Sequence, residues 1–400
     1  MTSNSNRGKA LWHCYAITFL LYTVVFLWGI TGLFGGGGLT YHLFTLYAIL
    51  PGVTGLGGIA LGIKGAHMKW LYPPLFGAIA RIMPHIIFQR PFVLLPSFVY
   101  FLAPFLAASI GVGVGVLIRT LRARLKDRHK RKIRIAWRVL MIIGAVIALI
   151  HALHALTLDR IIEYREVPFA SPQLSPELNG YRIAFITDTH AISEARLWGI
   201  VDELNQQSLD LLLLGGDFAE DIPHMQRTLA ILSHIEATDG IFGVDGNHDN
   251  HRRLFPAMEA QGMTPLPNRG QRLRGNLFLA GVEDLTNRSP NIAQATRNAR
   301  PADFVLLLSH SPDIAMRQDT SGIDLILSGH THGGQMTFFG LWAPYFTLRR
   351  TITHYGQRFR SGWAHSQDGT PVFVSNGTGE YFPRIFARPQ VILITLAHEA

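Results

Sequence analysis

Apolar residues follow two regimes along this chain. Over residues 1–157 they gather into four long runs, roughly 11–34, 41–63, 92–118 and 136–157. A helix needs about 20 apolar residues to cross a bilayer, and these runs reach that length. From residue 180 the runs shorten. RIAFIT (182–187), DLLLL (210–214), IFGV (241–244), LFLAGV (277–282), DFVLLL (303–308) and DLILS (324–328) predict strands, followed by PVFVSN (371–376) and QVILITL (390–396). Arg196–Gln206 and Met225–Ile235 have helical spacing and fall between strands. Strand–helix alternation predicts an α/β layered fold. The expected organisation is a multi-span α-helical membrane region over 1–157, a linker over 158–179 and a globular domain over 180–400.

Charge sharpens this division. Residues 1–157 hold 16 Lys or Arg and one acid, Asp127, a net of +15; residues 158–400 hold 20 Arg and 26 acids, a net of −6. The chain's overall +9 therefore reports its membrane half, and the acidic downstream half argues against nucleic acid as a partner. Ten of the basic residues lie within Arg119–Arg138, between the last two runs. Such a basic loop is expected to stay cytoplasmic and to meet anionic lipid headgroups. The fourth span would then place residues 158–400 outside the cytoplasm. With four spans the N-terminus also lies outside, against the preference of Arg7 and Lys9. Leu71–Gln89, as a fifth or re-entrant element, would reconcile both ends, although Arg81, His85 and three prolines make it a poor span. The lone cysteine, Cys14, rules out a disulfide within the chain.

The predicted strands end in polar residues. RIAFIT runs into Asp188-Thr189-His190, and DLLLL into Gly215-Gly216-Asp217. IFGV runs into Asp245-Gly246-Asn247-His248-Asp249. DFVLLL runs into Ser309-His310, and DLILS into Gly329-His330-Thr331-His332-Gly333-Gly334. The carboxyl ends of strands form the ligand crevice of α/β folds, so five loops should converge on one cleft. Two divalent cations a few ångströms apart need many ligands, one of them a shared carboxylate. Asp188, His190, Asp217, Asn247, His310, His330 and His332 supply such a set. Mixed imidazole and carboxylate donors suit Mn, Fe, Zn or Ni better than Ca. His151 and His154, one turn apart in the fourth run, are expected to pack at the membrane interface.

With these residues in place the sequence resembles the calcineurin-like metallophosphoesterase superfamily. The family order D-x-H, G-D-x-x-D, G-N-H-[DE], a lone His and G-H-x-H appears here as DTH, GDFAE, GNHD, SH and GHTH. The tail VFVSNGTGEYFPRIFARPQVILITL is similar to the bacterial membrane-associated branch. The resemblance implies a two-sheet β-sandwich flanked by helices over about residues 180–396. It implies that Asp188, His190, Asp217 and His332 hold one metal, and that Asp217, Asn247, His310 and His330 hold the other. His248 would be the acid that stabilises charge and protonates the leaving oxygen. The family usually carries Asp where Glu220 stands here, so Glu220 or Asp221 would orient His248. Asp249 is a further candidate for support behind the ligands.

The expected function is a multi-pass membrane phosphoesterase, sited in a bacterial cell membrane. Its substrate would be a phosphodiester, phosphomonoester or pyrophosphate, and an anchor beside the active domain favours a lipid-linked one. A membrane sensor or scaffold using the same fold as a binding module is the alternative, and a nuclease of the superfamily is another. Arg349, Arg350, Arg358, Arg360, Arg384 and Arg388 are read as solvated, with some available to phosphate or headgroups.

Overall fold

The computed structural model describes residues 12–21, 50–65, 69–79, 94–124, 127–190, 192–286, 288–348, 352–381 and 383–399. The chain divides into two compact units, Met1–Ile147 and Ala148–Ala400.

The first unit is helical. Trp12–Leu21 and residues 72–79 are helical, and the main elements are α1 (Leu50–Lys64) and α2 (Leu94–Arg124). α1 and α2 meet backbone to backbone. A Cβ added at Gly111 would lie 2.2 Å from the carbonyl oxygen of Gly55, and one at Gly115 would lie 2.3 Å from that of Ile59. Small residues that let helices approach this closely are typical of packing inside a bilayer, where apolar burial gives no drive. α3 (Asp127–Leu156) continues into the second unit. Two stretches, Pro104–Leu121 and Arg131–Arg160, are long and apolar enough to cross a membrane, with mean hydropathies of 1.7 and 2.4. Much of the first two expected spans, and residues 80–89 of Leu71–Gln89, lie outside the described residues. Arg119–Arg138, expected as a loop, is helical where described, because α2 runs to Arg124 and α3 starts at Asp127. Lys and Arg are good helix formers, so a basic stretch between apolar helices simply extends them.

The second unit is a two-layer sandwich of mixed sheets. The first sheet has the order β1 (Glu163–Ser171), β12 (Gln390–His398), β2 (Arg182–Ile186), β3 (Leu211–Leu214), β4 (Ile241–Gly243), β5 (Thr264–Pro265). The second has the order β10 (Gly362–His365), β11 (Pro371–Val374), β9 (Leu325–Ser328), β8 (Phe304–Leu308), β7 (Leu277–Gly281), β6 (Arg269–Arg272). β2 to β5 run parallel, as do β11, β9, β8 and β7, while β12 opposes β2. Alternate side chains serve opposite faces. Ile183, Phe185, Leu211 and Leu213 point between the sheets to meet Leu306, Leu308, Leu325 and Leu327. Ala184, Ile186, Leu212 and Leu214 point outward. There they are covered by α4 (Glu194–Asn205), α5 (Ile222–Leu232) and α6 (His251–Ala260), through Ile200, Leu229 and Met258. Strands buried on both faces read as unbroken apolar runs, which is how the sequence presents them.

Residues 158–179, expected as a linker, contain β1, which pairs with β12 from Glu163–Gln390 to Ser171–His398. β1 reads EYREVPFAS. An edge strand can carry charges and Pro168 because only one side of it bonds.

Candidate active site

Five strands of the two sheets deliver the candidate residues at their carboxyl ends. Asp188 and Asp217 follow β2 and β3, Asn247 follows β4, His310 follows β8, and His330 and His332 follow β9. Asp188, His190, Asp217, His330 and His332 all have positive φ, between 40 and 70°. Non-glycine residues avoid this region, and such strain persists where the surroundings fix it. Here the loops must reverse within one or two residues of a strand end to aim side chains into the cleft.

Two groups form. In the first, His332 Nε2 lies 3.5 Å from Asp188 Oδ1, and His190 Nε2 lies 3.9 Å from the same atom. In the second, His310 Nε2 lies 3.1 Å from Asp217 Oδ2, 3.2 Å from Asn247 Oδ1 and 3.1 Å from His330 Nδ1. Asp217 joins them, because its Oδ2 is also 3.4 Å from His190 Nε2. All seven residues expected from sequence therefore meet.

The outer nitrogens decide what the inner ones can do. His310 Nδ1 faces the Gly215 carbonyl at 2.8 Å, and His330 Nε2 faces the Ile352 carbonyl at 2.8 Å. Carbonyls only accept, so protons sit on those nitrogens, and in the neutral rings that a metal requires His310 Nε2 and His330 Nδ1 are the inward lone pairs. His190 Nδ1 faces Glu220 Oε1 at 3.0 Å, which turns its Nε2 lone pair toward two carboxylates. His190 Nε2 and His332 Nδ1 are buried without a hydrogen-bond partner. The cluster is thus a set of acceptors that need a cation between them. Burial pushes His332 down to about 3, which keeps it neutral as a ligand must be. Burial would raise Asp217 and lower His310, but their 3.1 Å contact outweighs it: without a cation between them the pair shares a proton, which holds the Asp217 carboxyl well below its usual range and His310 well above its own.

Behind the ligands, Glu220 receives His190 Nδ1 at 3.0 Å and His248 Nδ1 at 3.1 Å, and the Tyr381 hydroxyl also bonds to it. These histidine bonds hold the Glu220 carboxyl far below its ordinary value, and the same bond raises His248 to about 9. The His248 backbone N–H donates to Asp217 Oδ1 at 2.8 Å. Of the two acids proposed to orient His248, Glu220 is in place and Asp221 is not. Asp221 is exposed and caps α5, accepting the His224 N–H at 2.9 Å. One step along a turn into a helix rotates the side chain out of the cleft. Asp249 is buried and accepts the N–H groups of Asp217, Phe218 and Gly246 at 2.7, 2.9 and 2.9 Å.

Two residues escaped the sequence reading. Tyr381 packs tilted against His190 with ring centroids 4.9 Å apart, and no spacing announced it. Arg384, expected to be solvated, is buried and donates to the carbonyls of Asn376, Gly379 and Ala387 at 2.9 to 3.1 Å. It fixes the loop that lies over Asp188. Arg349 and Arg350 lie outside the described residues. His151 and His154 make ring contacts with Phe338, Phe339 and Phe386, the His154 and Phe386 centroids lying 3.8 Å apart.

Residues 181–334 match the family model of the calcineurin-like phosphoesterases. An uncharacterized metallophosphoesterase of Helicobacter pylori is 31% identical over 242 residues, covering 57% of this chain and 62% of that protein. A transmembrane protein with metallophosphoesterase domain from Danio rerio is 27% identical over 281 residues, covering 64% of this chain and 61% of that protein. The uncharacterized metallophosphoesterase YkuE of Bacillus subtilis is 27% identical over 256 residues, covering 59% of this chain and 85% of that protein. The chain spans less than two thirds of the Helicobacter relative's length. Residues 181–334 therefore form a domain of the calcineurin-like phosphoesterase type, and the clustered His and Asp side chains of that domain are placed to hold metal ions.

Proposed function

We propose that this chain is a membrane-anchored phosphoesterase with a dinuclear metal centre, acting on a phosphodiester or pyrophosphate carried by a lipid. The convergence of unsatisfied acceptors on a shared Asp217 supports this reading most directly. Asp188, His190, Asp217 and His332 would hold one cation; Asp217, Asn247, His310 and His330 would hold the other. Mn, Fe, Zn or Ni fits these donors. When bound, such a pair supplies an activated water and neutralises charge on the phosphate. The chain's own residues do the rest. His248 is exposed beside His190 and Asp217, and Glu220 occupies its Nδ1, so Nε2 is the nitrogen left to face substrate and protonate the leaving oxygen. Glu220 sets that ring's orientation and also steadies His190. Asp249 holds the backbone on which Asp217 turns.

The membrane part of the reading rests on the apolar helices. Only 6% of the apolar stretch Arg131–Arg160 is buried, and a helix this apolar and this bare would expose a large sticky face in water. Several spans, with the basic stretch Arg119–Arg138 cytoplasmic and the phosphoesterase domain outside, follow from the charge rule. A bilayer anchor beside the site favours lipid-linked substrates.

The test is hydrolysis by the full chain in detergent, stripped of metal and then supplied with Mn. Bis(p-nitrophenyl) phosphate and p-nitrophenyl phosphate serve as diester and monoester, with Asp217→Asn as control. Metal-dependent cleavage that this variant loses supports the reading. Two bound metals with no cleavage of either ester or of a lipid pyrophosphate would sink it in favour of a binding module.

A further inference from the structure

A second concave site lies within the Ala148–Ala400 unit. It encloses about 450 Å³ and is lined by Arg165, Arg360, Arg388, His154, Trp363 and Phe386, among others. None of the seven candidate metal ligands lines it. Three guanidinium groups face one carboxylate, Glu163, whose Oε2 is already engaged by Gln390 Nε2 at 2.8 Å. Among the described residues, no carboxylate lies within ion-pair distance of Arg165, Arg360 or Arg388. Arg388 Nε is buried and has no hydrogen-bond partner. Converging like charges repel one another unless an anion joins them. Planar guanidinium forks match the oxygens of phosphate.

The surroundings say where that phosphate comes from. His154 stands two residues before the end of α3. Its ring stacks on Phe386, and His151 packs against Phe338 and Phe339 with centroids 5.4 and 4.4 Å apart. The segment Phe338-Phe339-Gly340-Leu341-Trp342 closes on itself through a bridge between Phe338 and Trp342, and Gly340 lines the pocket. Leu341 is 79% exposed, with Phe338, Trp342 and Trp363 each more than 40% exposed. Leu149, Leu153 and Leu156 of α3 are exposed as well. Aromatic side chains beside the end of an apolar helix, around a cationic hollow, are the arrangement of a membrane–water interface.

We infer that this pocket binds the phosphate of an anionic lipid headgroup, with the Phe338–Trp342 hairpin set among the acyl chains beside α3. The inference rests on the proposal that α3 lies in a bilayer. It gives the domain a fixed seat on the membrane, separate from the site of hydrolysis. The floor of the pocket touches the candidate centre indirectly, since Arg360 Nη1 lies 3.3 Å from the Gly333 carbonyl, next to His332.

The test is native mass spectrometry of the full chain in detergent, titrated with phosphatidic acid, phosphatidylcholine of the same acyl chains, or inorganic phosphate. The variants are Arg165→Gln, Arg388→Gln and the pair combined. The expected result is one lipid retained at least tenfold more tightly for phosphatidic acid than for phosphatidylcholine. Affinity should fall about fivefold for each guanidinium removed, and equimolar inorganic phosphate should not displace the lipid. Equal retention of the two lipids would overturn the inference, as would unchanged retention in the double variant. Displacement by equimolar inorganic phosphate would also overturn it, assigning the pocket to a soluble phosphate. Carbonate extraction of membranes and Mn-dependent diester cleavage, run on the same variants, report separately on anchoring and on catalysis. A failed lipid site would leave both of these intact.

Discussion

The carboxylate of Asp249 accepts the backbone N–H of Asp217 at 2.7 Å, at the residue where the chain turns through φ +55°. The same carboxylate takes two further N–H groups, so one buried acid holds the strained corner that presents the candidate bridging ligand. Asp249→Ala would leave three donors without their partner. The expected cost is about 3 kcal/mol in urea unfolding of metal-stripped protein. A loss below about 1 kcal/mol would mean that the loop holds itself.

Glu220 separates the fate of the metal ligands from that of the acid. Glu220→Asp keeps the charge but shortens its reach to two histidines at 3.0 and 3.1 Å. Turnover should drop about 10- to 100-fold, with metal content preserved. Tyr381→Phe, which removes one bond to the same carboxylate, should cost less. Unchanged turnover in Glu220→Asp would show that His248 needs no orienting partner.

Gly377 lies against the first ligand. It has φ +70°, and an added Cβ would sit 2.5 Å from the Cβ of Asp188. Gly377→Ala should push Asp188 out of place and lower the metal content below two per chain, as read by elemental analysis. Full occupancy in this variant would contradict the placement of Asp188 at the centre.

The Arg272–Asp303 pair gives a pH signature far from the site. The Arg272 hydrogen bond comes first among the influences that hold the Asp303 carboxyl below its usual range. A lowered carboxyl stabilises the fold above its unfolded pKa of about 4, and that contribution is lost as pH falls through the folded value. Asp303→Asn should therefore lower the urea midpoint at pH 7, and the gap from wild type should close below about pH 4. A gap that is constant with pH would assign the effect to packing.

How much of this was legible depends on where a residue's neighbours lie along the chain. β2, β3, β8 and β9 announced themselves because both of their faces are buried. The ligands followed, because each sits within a few residues of such a strand end. β1 and β6 were not legible. Their charged, alternating sequences look like turns, and β1 finds its partner 227 residues away. Glu220 and Asp221 are neighbours that sequence could not separate, and the start of α5 separates them. Arg384 looked like any surface arginine until the loop of Asn376–Ala387 wrapped its carbonyls around it.

The strand order of the first sheet carries a consequence for biosynthesis. β12 sits between β1 and β2, although it comes last in chain order. β1 bonds to β12 alone within that sheet, so the segment leaving α3 has no docking partner while residues 172–389 are being made. Asp188, Asp217 and Asn247 emerge well before His310, His330 and His332, and the loop that covers Asp188 ends at β12. The first sheet therefore stays open at the β2 edge until its last strand arrives. Assembly of the cleft is therefore a late event in the synthesis of the chain.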